Sequence, residues 1–339
     1  MTQSTQSVEQ IRQSLILASR GSTLALWQAN YVAELVRKLG ADVSIQTWKT
    51  TGDIVQDRFL HEIGGKGLFI KELEEAMSKG AAHLAVHSLK DMPAKIPSGF
   101  SLAAVLKRNE SADVIVFRSG IAEKHGLAHR QVFNAQTLRT LGPLTLATSS
   151  LRRQAILKAD CPEIKTIPIR GNVDTRLKKL ESEITWDGII LAEASLERLG
   201  LTSLPAFRLD PSWFIPCAGQ GALAIETLAD GPALTIVSKL QCAHTRLAVD
   251  IERSVLARLG GDCTMPFGCL VTMGAGAQPF LMARAIVLAA DGASLARAEC
   301  RISTTTTNLA KVAEDTLIEG LRKNGANDVL ASLGLKDRI

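Results

Sequence analysis

This chain of 339 residues has few aromatic side chains, 4% of the total, and a single tyrosine, Tyr31. So few rings argue against a base-stacking platform for single-stranded nucleic acid. No apolar run approaches the roughly 20 residues that a membrane-spanning helix requires. The six cysteines (Cys161, Cys217, Cys242, Cys263, Cys269 and Cys300) are scattered without paired spacing, and the six histidines do not cluster with them. A disulfide framework and a zinc module are both set aside on that count. There is no basic tail: the net charge of +5 is spread along the chain, which suits an acidic small ligand better than DNA. The first 14 residues are polar, carry Glu9 and lack the apolar centre of a secretory signal; they read as a disordered lead-in. With thiols that have no partner, the expected compartment is the cytoplasm.

What is present is ordinary in bulk and unusual in placement. Apolar residues make up 46% and charged residues 22%, the balance of a soluble globular protein long enough for two or three domains. Arg20, Arg152, Arg153, Arg170, Arg176 and Arg198 all stand where an apolar run breaks into a turn or a helix start. In an α/β fold that is the carboxyl end of a strand, where ligands bind. Each guanidinium is a fixed fork of donors matched to carboxylate or phosphate. Any one of them is as readily a surface charge; six in a similar context imply a ligand with many anionic groups.

Strand-like and helical patterns alternate along the chain. Leu15 to Ala18 reads as a strand, Thr23 to Leu39 as a helix stopped by Gly40, Val43 to Thr47 as a second strand, and Phe69 to Lys79 as a helix. The buried run Leu84-Ala85-Val86 then leads into His87-Ser88-Leu89-Lys90-Asp91. This is βαβ grammar and implies a parallel sheet. After a polar stretch near Lys107 to Ala112 it restarts, with strands at Val114 to Phe117, Leu144 to Thr148, Glu163 to Ile169 and Gly188 to Ala192. The expectation is α/β: two similar α/β domains around a cleft. From about residue 241 the pattern changes to one long helix at His244 to Leu259, three strands and a final helix, which implies a small α+β third domain.

Within this frame a few residues suit chemistry. Asp91 closes a strand end beside Lys90. A turn aspartate before a Pro-containing loop is the plainer reading, but facing several arginines it becomes the one obvious anion in a cationic site, suited to general acid–base work or to stabilising a cation. Gly64-Gly65-Lys66-Gly67 lacks the spacing of a nucleotide-binding loop and reads instead as a glycine-hinged segment able to carry Lys66 over a cleft. Cys263 sits on a turn bounded by Gly260, Gly261 and Pro266. A buried small hydrophobe is the default for a lone cysteine, yet such a turn favours access and therefore a nucleophile or attachment point. His87 reads as a base or, more simply, as a structural residue on a buried strand end.

Together these motifs resemble one family, hydroxymethylbilane synthase, also called porphobilinogen deaminase. The resemblance runs from about Leu15 to the final helix. It is carried by Ala18-Ser19-Arg20-Gly21-Ser22 with Leu24 to Gln28, Gly64 to Phe69, His87 to Asp91, Thr148 to Gln154, Arg170-Gly171-Asn172-Val173 with Thr175-Arg176-Leu177, Gly219-Gln220-Gly221, Cys263 and Pro266. It implies two domains like those of periplasmic binding proteins, formed by residues 15–110 with 218–240 and by residues 111–217. A cofactor-bearing third domain follows at residues 241–339. It implies head-to-tail joining of four porphobilinogen molecules with release of ammonia, on a dipyrromethane cofactor held by a thioether to Cys263. Hydrolysis then releases linear hydroxymethylbilane. Asp91 would be catalytic. Lys90, Ser88, Ser149, Arg152, Arg153, Arg170 and Arg176 would hold the cofactor. Arg20, Ser22, Gln28, Lys66, Phe69, Arg176, Arg198 and Gln220 would meet substrate. No metal, nucleic acid or membrane is implied, and the family suggests a monomer.

Each pyrrole of such a chain carries an acetate and a propionate, so several rings make the polyanion that the arginine forks suit, and loss of ammonia leaves an electron-poor azafulvene beside Asp91. Two positions depart from the family pattern: Glu62 stands where lysine is usual, and Asp262 replaces a usual glycine before the cysteine. A non-catalytic two-domain protein binding a polyanionic small molecule is the rival reading. It accounts for the arginines but not for Cys263 in a third domain or for Asp91 among cations.

Overall fold

The computed structural model describes residues 13–54, 70–128, 131–261, 265–274, 278–335 and 338–339. Strands β1 (Ser14–Arg20), β2 (Asp42–Trp48), β3 (Leu84–Ser88), β4 (Phe100–Val105), β5 (Asp113–Phe117), β6 (Val132–Phe133) and β7 (Thr145–Ala147) lie in the first half of the chain. They are followed by β8 (Lys165–Ile167), β9 (Gly188–Ala192), β10 (Ala206–Leu209), β11 (Leu223–Leu228), β12 (Phe267–Gly274), β13 (Phe280–Leu288) and β14 (Leu295–Ser303). They form three sheets, in the orders β2-β1-β3-β11-β4, β6-β10-β5-β9-β7-β8 and β12-β13-β14.

The central strands are buried on both faces, as sheets covered by helices require: β5 and β9 are buried at every residue. Helix Thr23–Lys38 covers the first sheet through Ala29, Val32, Ala33 and Val36, which recur at helical spacing. Ser22 Oγ accepts from Ala25 N at 3.3 Å to begin that helix, and Arg37 and Lys38 complement its C-terminal dipole.

The sheets are mixed where the strand–helix grammar implies parallel ones. β11 runs antiparallel to both β3 and β4, and β5 runs antiparallel to β9. The cause is connectivity. The chain leaves the first sheet after β4, builds the second, and re-enters the first as β11 between β3 and β4, running opposite to both. A buried run has the same composition in either direction, and only the route of the chain decides. The short elements β6 and β10 and the helices Ala135–Arg139 and Ala326–Ser332 also fall outside the sequence reading, being too brief to show a period.

The third sheet is an antiparallel meander. Helices Ala243–Arg258 and Leu309–Lys323 cover it through Ile251, Val255, Ala313, Leu317 and Leu321, all buried against Leu281, Ala283 and Val287. Its opposite face joins the second unit, where Leu270, Ile286 and Leu288 share one core with Trp213, Phe214 and Ile215. The C-terminal unit is therefore anchored rather than tethered.

Candidate active site

The carboxyl ends of β1 and β3 lie side by side, and the residues at and just past them form a concavity open to solvent. Arg20, Ser22, Gln28, His87, Ser88 and Asp91 line it. Gln28 Nε2 donates to Ser88 Oγ at 2.9 Å, which joins the first helix to the end of β3. Asp91 closes the single 3₁₀ turn Leu89–Asp91 and is exposed to the cleft, while Leu89 beneath it is buried. The arrangement follows the rule that α/β sheets present ligand-binding residues beyond the carboxyl ends of their strands.

Two cations of the second unit are electrostatically coupled to Asp91 across the cleft. Burial brings the Arg176 guanidinium down to about 10; repulsion from Arg153 acts the same way, and attraction to Asp91 opposes it. Burial likewise brings Arg198 down to about 10, against the attraction of Glu197, Asp91 and Tyr31. Both forks rest on neutral oxygens. Arg176 Nε donates to Gly171 O at 2.7 Å, and Arg198 Nη2 donates to Gly221 O at 2.7 Å and Asn109 Oδ1 at 3.1 Å. Among the described residues these two cations donate only to neutral acceptors, which leaves them well placed to receive anionic ligand groups. Arg170 is half-buried, and its charge also repels Arg176.

Arg152 and Arg153 have a different setting from that expected of forks open to a ligand. Both are buried, and the carboxylate they meet belongs to the protein. Asp113 Oδ2 accepts from Arg152 Nη2 at 2.7 Å, and Asp113 Oδ1 accepts from Arg153 Nη2 at 2.6 Å and from Gln220 Nε2 at 3.0 Å. Arg152 Nη1 donates to Ile215 O at 2.9 Å and Arg153 Nη1 to Ile190 O at 2.7 Å, while among the described residues the buried Arg152 Nε meets no acceptor. Gln220, fully buried, also accepts from Lys90 Nζ at 3.5 Å, so this network reaches the residue beside Asp91. Ser149 Oγ is occupied by Ile169, donating to its carbonyl at 2.7 Å and accepting from its N–H at 3.0 Å.

The glycines flanking Gln220 have a specific cause. Gly219 and Gly221 take φ of +75° and +87°, and a Cβ on Gly221 would lie 2.7 Å from Asn109 O. The two segments that connect the sheets cross at this point, and side chains there would force them apart.

Asp113 is the residue that the sequence reading missed. Burial alone would raise its pKa, but Arg152 and Arg153 outweigh that and hold it at about 2, against 3.8 for the unperturbed group. A carboxyl depressed on folding contributes stability that is present above its unfolded pKa and is lost as pH falls through its folded one. Wild type is therefore expected to lose thermal stability between about pH 4 and pH 2 more steeply than Asp113→Asn. Parallel curves of Tm against pH would show that the network carries no such linkage. Arg152→Leu strands part of this carboxylate, a loss on the order of 3–5 kcal/mol, so lower stability is expected beside any loss of binding.

His87 is 7% exposed, with Nε2 3.0 Å from Oε2 of the fully buried Glu226. Its ring is thus engaged from behind by a partner on β11. Lys66, Phe69, Cys263, Glu62 and Asp262 lie outside the described residues.

Two family models match this chain. One, described as the porphobilinogen deaminase dipyromethane cofactor binding domain, matches residues 15–235, and the porphobilinogen deaminase C-terminal domain matches residues 246–319. The chain belongs to the porphobilinogen deaminase family. Porphobilinogen deaminase of Ralstonia nicotianae is 41% identical over 94% of this chain and 92% of its own length, and that of Paraburkholderia phytofirmans is 39% identical over 94% and 89%. Porphobilinogen deaminase of Burkholderia thailandensis is 44% identical over 75% of this chain and 73% of its own. The cofactor-binding model spans Asp91 and the arginines, while Cys263 falls within the C-terminal one.

Proposed function

We propose that this chain is a hydroxymethylbilane synthase, a transferase that condenses four porphobilinogen molecules head to tail with loss of ammonia and then releases the linear tetrapyrrole. The observation that carries this reading is Asp91, an anion exposed in a concavity that it shares with Arg20, Ser22, Gln28 and Ser88, with the cations Arg176 and Arg198 of the second unit attracted to it. No observation favours a binding protein without catalysis.

The division of labour follows from charge. Arg20, Arg176 and Arg198 bind the acetate and propionate groups of the rings, with Ser22, Ser88 and Gln28 as neutral donors. Lys66 and Phe69 complete the substrate side, and Arg170 serves the cofactor. The cleft thus takes up anionic rings while Asp91 faces their N–H edge. Its carboxylate stabilises positive charge that develops on a pyrrole as ammonia departs, and it passes a proton between ring and leaving amine. Arg152, Arg153, Lys90 and Gln220 hold the cleft wall through Asp113, and Ser149 holds the strand end beside it.

A dipyrromethane fits this donor set, since its carboxylates are opposite in charge to the arginines gathered here. When bound it supplies the free pyrrole carbon on which the first porphobilinogen is joined. Cys263 provides the thioether sulfur, residues 15–110 with 218–240 and residues 111–217 form the cleft, and residues 241–339 carry the attachment. Among the described residues no helix is long and apolar enough to cross a membrane; a monomer in the cytoplasm is the assembly and location proposed. Intact mass tests the reading most directly. Protein purified from cells should exceed the sequence mass by one dipyrromethane and should release ammonia from porphobilinogen; a mass equal to the sequence, with no ammonia released, would end it.

A further inference from the structure

We infer that Arg253, on helix Ala243–Arg258 of the C-terminal unit, is a positioning residue that sets the geometry of the Asp91 turn. The inference rests on the reading of Asp91 given above. Arg253 Nη2 donates to Pro93 O at 2.8 Å and to Ala94 O at 3.0 Å, the carbonyls two and three residues beyond Asp91. One turn earlier on the same helix face, Val249 is buried against Leu89 and Met92, the residues that bracket Lys90 and Asp91. The helix thus holds the turn from below and from its exit.

The turn needs such support. Leu89–Asp91 is a three-residue 3₁₀ turn closed by Met92 N to Leu89 O at 3.1 Å and tied to β11 by Leu89 N to Ala222 O at 3.0 Å. One turn of 3₁₀ helix does not hold itself in water, so the direction of the Asp91 carboxylate is set by what packs around it.

The choice of arginine is informative. The side chain is 8% exposed, and no carboxylate among the described residues forms an ion pair with it. The attraction of Asp250 and Glu226 only partly offsets what burial costs the cation. Filling this space would be done more cheaply by an apolar side chain. What the guanidinium adds is a rigid planar head that grips two successive carbonyls. Its neighbour Glu252 reaches the crossing between the sheets. Glu252, fully buried, accepts from Arg108 Nη1 at 2.6 Å, from Gly219 N at 2.7 Å and from Val271 N at 2.8 Å. One helix therefore ties the Asp91 turn and the crossing between the sheets to the unit that the chain follows into Cys263.

The test uses holoenzyme carrying Arg253→Met, Arg253→Lys, Asp91→Glu, Asp91→Asn and the Asp91→Glu/Arg253→Met double change, with kcat, KM, intact mass and Tm measured for each. Arg253→Met is expected to keep its cofactor and a KM within about threefold of wild type while kcat falls about 10- to 100-fold, as misplacement of a reacting group by an ångström does. Arg253→Lys should recover part of kcat. In the Asp91→Glu background, where the carboxylate is already displaced, Arg253→Met should change kcat less than about threefold, because two routes to one misplacement do not multiply. Wild-type kcat in Arg253→Met, or an equal fold-loss in both backgrounds, would overturn the inference. If Arg253→Met fails to fold, Arg253→Lys decides: reduced kcat at unchanged Tm supports it, and unchanged kcat sinks it. Wild-type turnover by Asp91→Asn would instead remove the reading of Asp91 and this inference with it.

Discussion

Asp91→Asn is expected to purify with its cofactor in place and to condense porphobilinogen about 10²–10³-fold more slowly than wild type, and more slowly still if proton transfer is lost with the charge. The substitution is nearly isosteric, and Asp91 is exposed at the end of a turn whose buried residue is Leu89. Among the described residues no hydrogen bond or ion pair is made by its carboxylate. Arg176 and Arg198, by contrast, both feel its field across the cleft. Asp91→Glu keeps the charge and moves it by a methylene, so it should retain part of the activity. If Asp91 were only a turn residue, the pattern would invert, with a lowered Tm and little change in kcat. Side-by-side kcat and Tm for Asp91→Asn separate the two, and turnover within a few-fold of wild type would end its catalytic role.

The second large effect is at Cys263. Cys263→Ser should give folded protein whose intact mass equals its sequence, without dipyrromethane and essentially without turnover, because a thioether requires sulfur and a hydroxyl is nearly isosteric with the thiol. The neighbouring candidate is poorly suited to take over. Cys269 is fully buried on β12, and burial pushes its thiol well above the usual range, with Glu252 adding to the shift. A thiol so held is neither accessible nor ionised, and only the thiolate is nucleophilic. Cofactor found on purified Cys263→Ser would move the attachment to another cysteine and redraw the site.

Local signals carried much of this protein into view. That Arg20, Ser22, Ser88 and Asp91 would come together in one concavity was legible because each lies at or just past the carboxyl end of a strand, and the end of a strand in an α/β sheet is where ligands meet the protein. The lengths of helices Thr23–Lys38 and Ala243–Arg258 could be read to within about a residue from apolar spacing and, for the first, from Gly40. The change from α/β to α+β near residue 241 was equally plain, because the order of elements changed.

The tertiary structure alone decided which way strands run and which charges face one another. β11 shows its buried composition but not its antiparallel direction, since that depends on the chain's route through the second unit. Arg152 and Arg153 look in sequence like Arg176 and Arg198, yet one pair is filled by Asp113 and the other rests on neutral oxygens beside the cleft. Asp113, at the start of an apolar strand, has nothing local to mark it, because its partners lie 39, 40 and 107 residues away. Glu226, Glu252 and Arg253 are of the same kind. A helix or strand announces itself through neighbours a few residues apart, whereas a buried charge is defined by the partner that makes its burial tolerable, and that partner is brought to it only by the fold.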